Sequence, residues 1–410
     1  MYRGDAVIRR PPWTLPVIVL SQFAGTSIWF SGNAVLAELM QRQPDAASMA
    51  GWITSAVQLG FITGTLVFAV FALSDRISPR RLFLWCTLAG ALFNLSTALP
   101  GIGPPGLLAL RFATGCFLAG IYPVGMKIAA GWYARGLGNA LGFLIGALVL
   151  GTAAPHLMKG VLTALPWQAV IALSSLICLA GGVLMAVLIA DGPYLGAGAR
   201  FDPMAIVHLF RHRPLRAAAL GYFGHMWELY SLWAFVPLAL GAYAAAAPGP
   251  PLNVPLWSFV VIGVGSLGCI VGGLLSRRVG SATVARIQLA ASGLCCLFSP
   301  LFFAAPPPLF LALMLLWGIV VVGDSPQFST IVARTAPPEL VGSALTLVNC
   351  IGFSITVISL CLLQWLSAVL PVTYLLIPLA AGPAAGLVGM SGLFKPKTAL
   401  NGEHPAPTIE

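Results

Sequence analysis

The sequence predicts an all-α membrane protein with about twelve transmembrane helices in two pseudo-symmetric bundles of six. Three observations carry this. Hydrophobic residues make up 59% of the 410, charged residues 8%, and mean hydropathy is +0.93. Lys and Arg gather in alternate loops. The second half of the chain repeats features of the first at an offset of about 200 residues.

So little charge cannot cover a water-soluble globule of this size, since soluble domains carry roughly 25% charged residues. The chain needs a lipid bilayer around it. The net charge of +10 would suggest a nucleic-acid partner in a soluble protein. Here the basic residues lie in short clusters between apolar runs, so no nucleic acid is expected. The eight cysteines (86, 116, 178, 269, 295, 296, 350 and 361) fall inside apolar runs without CxxC or Cys/His spacing. They are expected to pack as small apolar residues, with no metal and no cofactor. Arg3, Arg9 and Arg10 before an apolar run from Trp13 resemble a signal peptide. The run continues to Leu39 without a small-x-small cleavage site, which predicts an uncleaved first helix.

A span takes about 20 apolar residues. Apolar runs cover 13–40, 50–74, 82–99, 106–126, 138–157 and 167–190 in the first half. Those of the second half are 217–243, 256–275, 283–303, 309–332, 342–366 and 372–393. Their Gly and Pro would break soluble helices but serve close packing and bends in a membrane. An even count puts both termini on one side. That side holds Arg76, Arg80, Arg81, Lys127, Arg135, Arg200, Arg211, Arg213, Arg216, Arg277, Arg278, Arg286 and Arg334. The termini add Arg3, Arg9, Arg10, Lys395 and Lys397, whereas the opposite loops hold only Arg42 and Lys159. The positive-inside rule makes the first side cytoplasmic, in what is expected to be a bacterial inner membrane.

The boundaries follow: 1–190 for the first bundle, 191–213 for a cytoplasmic central loop, 214–394 for the second bundle and 395–410 for a cytoplasmic tail. Within the loop, Asp202-Pro203 reads as an N-cap and first helical residue. An interfacial helix would place Ile206, Val207 and Phe210 on the membrane and His208, Arg211 and His212 in water; the alternative is a structureless linker.

The repeat is clearest between the fourth and tenth runs. Gly115, Gly120 and Pro123 recur as Gly318, Gly323 and Pro326, each set preceded by Leu-Ala-Leu. Gly138-Asn139-Ala140-Leu141 recurs as Gly342-Ser343-Ala344-Leu345. The loop Leu73-Ser74-Asp75-Arg76-Ile77 recurs as Leu275-Ser276-Arg277-Arg278-Val279. Two parallel halves of six fit a carrier that rocks about a central site.

These features resemble the major facilitator superfamily over essentially the whole chain. The family's loop signature, Gly-x-Leu-Ala-Asp-Arg-x-Gly-Arg-Lys, is matched by Phe71-Ala72-Leu73-Ser74-Asp75-Arg76-Ile77-Ser78-Pro79-Arg80-Arg81, with Phe71 and Ser78 for the glycines. The second copy keeps Gly273 and Gly280 but has Arg277 for Asp. Leu107-x-x-x-Arg111-x-x-Thr114-Gly115 is similar to the signature of proton-linked members, with Thr for Gln. The Gly-Pro pair of antiporters is missing after Gly142, Gly151 and Pro155, so direction stays open. Nitrate members are matched only loosely. The resemblance implies a gate at Asp75, Arg76, Arg80 and Arg277, and a cavity lined by helices 1, 4, 7 and 10.

Charge inside a membrane costs roughly 2.5–3.5 kcal/mol per residue on insertion scales. Of the acids, Glu228 and Asp324 lie well inside apolar runs and Glu38 only at the end of the first; Arg111 and His225 join the first two. These four fall on three of the four cavity helices and are the candidates for substrate binding and proton coupling. His225 and Glu228 are three apart, on one helical face. Glu228 and Arg111 reach similar depths, so they are expected either to exchange partners in transport or simply to pair and hold the halves together. Asp324 either joins the site or caps the break at Pro326; His225 either tunes Glu228 or packs. The coupling role assumes that Glu228 faces the cavity. Trp29, Asn33, Gln58, Trp227, Tyr230 and Asn349 either line the cavity or pack helices.

The reading is a monomeric secondary transporter, not an enzyme, that carries a small organic solute with protons by alternating access. A transporter of a small anion, inorganic or organic, is the alternative. A channel or an intramembrane enzyme fits less well, because the doubled plan and loop signatures favour a carrier and no catalytic constellation is present.

Overall fold

Backbone amides in hydrocarbon have no water to bond, so a spanning segment must satisfy them within itself. The computed structural model, which describes residues 10–42, 50–133, 137–195, 201–247 and 251–394, accordingly is built from helices. Arg3, Arg9, Arg135, Arg200, Lys395, Lys397 and the 395–410 tail lie outside the described residues. The first bundle comprises α1 (14–42), α2 (Ala50–Val70), α3 (Pro79–Ser96), α4 (Pro104–Trp132), α5 (Leu137–Val161) and α6 (Trp167–Leu188). The second comprises α7 (Arg213–Ala246), α8 (Val254–Val279), α9 (Ser281–Phe303), α10 (Pro307–Thr335), α11 (Val341–Leu366) and α12 (Val372–Phe394).

Among the described residues, ten of these are long and apolar enough to cross a membrane. The exceptions have local causes. Arg80, Arg81 and Asn94 dilute the hydropathy of α3. The run at 13–40, expected to be one helix, is three: Thr14–Thr26, Ser31–Ala34 and Leu36–Arg42. Its break at 27–30 matters below.

The repeat is built into the backbone. α4 is interrupted between Leu118 and Tyr122, and α10 between Val320 and Ser325. Pro104, Tyr122 and Trp132 bound the two pieces of α4, and Pro307, Ser325 and Thr335, each 203 positions later, bound those of α10. The shared glycines have one job. A Cβ at Gly115 would strike the carbonyl of Val57 on α2, and one at Gly318 that of Val261 on α8. Each lets a broken helix lie directly against its neighbour.

The bundles meet along α2 with α11 and α5 with α8. The end carrying the basic loops is called the basic face here. At the opposite face two hydrogen bonds cross between bundles. The Gly51 amide at the start of α2 donates to Gln364 Oε1 at the end of α11 (2.8 Å), and Asn253 Nδ2, capping α8, donates to the Gly160 carbonyl near the end of α5 (3.0 Å). They occupy pseudo-symmetric places. Between the bundles in sequence, Ala205–Arg211 forms a short helix whose Ile206 and Phe210 are exposed. Asp202 caps the turn before it, accepting from the Met204 amide (2.8 Å), while its own amide donates to Ser343 Oγ on α11 (2.9 Å). Helix formation begins two residues later than the Asp-Pro pair suggested.

Candidate functional site

The four embedded ionisable residues form two separate groups, one in each bundle. Arg111, fully buried on α4, faces the break in α1. Breaking a helix frees carbonyls that must find other donors. Arg111 supplies them: Nη1 donates to the Ile28 carbonyl (3.2 Å) and Nη2 to that of Trp29. Nη1 also reaches Asn94 Oδ1 on α3 (2.8 Å) and Ser31 Oγ (3.3 Å). Ser31 donates to the same Asn94 oxygen (2.6 Å), and Asn94 Nδ2 donates to Ser175 Oγ on α6 (2.9 Å). The guanidinium thus ties α1, α3 and α4 together, with α6 one bond further on. Among the described residues no carboxylate pairs with it, so the expected contact between Arg111 and Glu228 is not made here.

In the second bundle, His225 Nδ1 on α7 lies 2.8 Å from Asp324 Oδ1, both fully buried. Asp324 sits at the break in α10, where its main-chain oxygen accepts from the amides of Gln327 and Phe328 (2.9 and 3.0 Å). Its side chain caps nothing. Its carboxylate faces His225 and lies close to the backbone amides of Asp324 and Ser325. Glu228, one turn along α7, points away from the interface between bundles. Its Oε2 accepts from Ser292 Oγ (2.8 Å) and Cys296 Sγ (3.3 Å), a pair four residues apart on one face of α9. The assumption that Glu228 faces the cavity is corrected by this contact. Buried among described residues and without hydrogen-bond partners are Glu228 Oε1, Asp324 Oδ2 and His225 Nε2. Tyr222 connects the group to the interface: its ring lies 5.7 Å from that of His225, and its hydroxyl donates to Asn349 Oδ1 on α11 (2.9 Å).

Between the bundles sits a plug of six buried rings: Trp29 and Phe30 from α1, Phe61 from α2, Tyr230 and Trp233 from α7, and Phe353 from α11. Trp29 stacks on Tyr230 and Phe353 with centroids 5.7 and 6.0 Å away, and Phe61 meets Phe353 at 4.6 Å. Each of these pairs joins one bundle to the other. The Trp29 and Trp233 indole N–H groups are buried without acceptors among the described residues.

The other candidates divide. Asn33 donates to Thr54 (2.7 Å), tying α1 to α2, and Gln58 is buried beside them on α2 with both amide atoms unpartnered. Trp227 turns to α12, donating to the Pro378 carbonyl (3.2 Å), so it packs the bundle instead of lining a cavity. At the basic face Asp75 binds Lys127 Nζ (2.6 Å), a pair the loop pattern did not reveal, and Lys127 also reaches the Ser74 carbonyl (2.8 Å). Arg80 approaches Asp191 (4.0 Å), Arg76 is exposed at the turn, and Arg277 is exposed at the end of α8. Sequence reasoning missed Asn94, Tyr222, Ser292 and Cys296. Asn94, an amide inside an apolar run, was findable; the others carry no charge to single them out.

The profile of the Major Facilitator Superfamily matches residues 17–360. No curated protein matches the sequence. Among solved structures, the fold is similar to the xylose transporter XylE from E. coli in a partially occluded, inward-open conformation, with a TM-score of 0.71 at 13% identity. The match covers 94% of this chain and 99% of that one.

Proposed function

We propose, for a chain that belongs to the Major Facilitator Superfamily and is therefore a multi-pass secondary transporter, that it moves a small organic solute by alternating access and couples the movement to protons through Asp324, His225 and Glu228. One observation carries the coupling: two carboxyl groups and an imidazole, all fully buried, keep an unpartnered atom each. An atom with no fixed partner can take one up when the bundles move. A proton can then enter or leave as the surroundings change. Coupling requires that protonation differ in free energy between two states. The break in α10 supports such a difference, because it holds Asp324 at a point where the helix can bend. Tyr222 and Asn349 link this group to the interface that opens and closes.

By the charge bias the basic face is cytoplasmic. The Gly51–Gln364 and Asn253–Gly160 bonds then close the outer side, with the aromatic plug beneath them. A cysteine placed near Lys159 should label from outside and one near Arg211 should not; the reverse pattern refutes the orientation. The coupling test uses purified protein in proteoliposomes. Glu228→Gln mimics the protonated carboxyl. It should abolish solute accumulation driven by a pH gradient yet keep exchange at equal pH. Gradient-driven accumulation at the wild-type rate removes Glu228 from coupling.

A further inference from the structure

The charges and rings at the interface between bundles narrow the solute itself, an argument that rests on the transporter reading above. Six aromatic rings converge there from α1, α2, α7 and α11. Because the rings belong to different bundles, any rocking motion separates them. The exposed faces of Trp29, Tyr230 and Phe353 then need a flat apolar partner, and an offset-stacked ring replaces what they lose. Two polar atoms are built into this box without partners, Trp29 Nε1 and Trp233 Nε1. An indole N–H is a donor only. Both therefore call for an acceptor, and neither suits an ammonium group.

The electrostatics point the same way. Arg111 is clamped to the carbonyl of Trp29 itself and to that of Ile28, so a full positive charge lies directly behind the box. Its hydrogen bonds run to neutral oxygens, which engage both terminal nitrogens without cancelling its charge. Its Nε is buried without a partner close beside Gly32, where a Cβ would stand 3.3 Å from it. Among the described residues, Glu228 and Asp324 lie in the other bundle, turned to α9 and to His225, and Glu38 in α1 is paired with Lys159 at the face opposite the basic one. A positive, donor-lined, aromatic box is thus offset from the acid group that handles the proton.

We infer that the transported solute is a planar aromatic monocarboxylate, its ring stacked among Trp29, Tyr230 and Phe353 and its carboxylate facing the two indole N–H groups and the Arg111 charge. Proton entry at the acid group would offset the anion's charge, which makes symport the natural coupling.

The probe is radiolabelled benzoate, bound at equilibrium to the purified protein at neutral pH with no gradient. Competitors separate the parts of the claim. Benzamide keeps the ring without the charge, cyclohexanecarboxylate keeps the charge without the planar ring, and benzylammonium reverses the charge. Benzoate should bind saturably, with benzamide and cyclohexanecarboxylate each weaker by about tenfold or more and benzylammonium not competing. Trp29→Phe, which keeps a ring and removes the donor, should weaken benzoate by about tenfold with an unchanged circular dichroism spectrum. The assay holds no gradient, so it reads binding alone and does not depend on proton coupling. The binding and coupling readings can thus fail separately. Absence of saturable benzoate binding, equal competition by cyclohexanecarboxylate, or stronger competition by benzylammonium overturns the inference.

Discussion

The α4 and α10 helices share their boundaries, their break and their glycines, yet they carry opposite charges at different places. Arg111 on α4 corresponds to Met314 on α10, and Asp324 on α10 corresponds to Ile121 on α4. Repetition preserved the backbone device and let the chemistry diverge. The two charged centres also differ in how complete they are. Arg111 engages four oxygens through its two terminal nitrogens and leaves Nε open. The acid group of the second bundle leaves one atom open on each member. A charge held by several fixed partners in a membrane holds structure, and a carboxyl held by few can change its protonation. Both cost free energy to bury, so each earns its place differently.

That contrast can be broken from either side. The largest effects should come from Asp324→Asn and Arg111→Met, and they should be of different kinds. Asp324→Asn should abolish accumulation driven by a pH gradient while leaving thermal unfolding of the purified protein near that of the wild type. Arg111→Met installs the residue found at the corresponding place in α10. It strands the Trp29 carbonyl, leaves the Ile28 carbonyl only the Ser31 hydroxyl (3.1 Å), and should destabilise the protein by about 3–5 kcal/mol, seen as a lower unfolding temperature and poor yield. If the Arg111 variant unfolds like wild type, or the Asp324 variant is the one that fails to fold, the division of labour is wrong.

A smaller effect is expected at the basic face. Asp75→Asn removes the ion pair with Lys127 beside the turn between α2 and α3. It should slow turnover several-fold with little change in solute affinity. Initial-rate measurements over a range of solute concentrations check this; an unchanged maximal rate removes Asp75 from gating. The smallest effect is at Ala72, which holds a left-handed backbone (φ 49°) where a side chain is disfavoured. Ala72→Gly should relieve this and stabilise the protein by about 0.5–1 kcal/mol. A lower unfolding temperature for the glycine variant would show that the turn is not strained.

How much of this was legible follows from what each signal reports. Twelve runs and a repeat read directly, because apolar length and Gly/Pro spacing are local properties of the chain. The break in α1 was not legible. Its residues Ser27–Phe30 are compatible with helix, and the cause is a side chain on α4 that supplies donors from 80 residues away. Arg111, His225, Glu228 and Asp324 stood out because charge in an apolar run is rare. Their grouping did not, since depth along a helix says nothing of rotation about it. Glu228 and Arg111 lie at similar depths but on faces that never meet in this structure. Which of the two alternatives Trp227 takes was hidden for the same reason: one residue from Glu228, it faces α12 and packs there. Ser292 and Cys296 were silent because hydroxyl and thiol groups are ordinary in membrane helices, and only the carboxylate they hold gives them meaning.

The central claim is that the acid group of the second bundle binds and releases the coupled proton. Infrared difference spectra of the purified protein, taken between acid and alkaline pH, read carboxyl protonation directly and require no solute. The account predicts a carboxyl band that titrates in the wild type and in Asp75→Asn. The band should lose intensity in Glu228→Gln and shift its titration in Asp324→Asn. A titrating band with wild-type intensity and midpoint in both Glu228→Gln and Asp324→Asn would contradict it.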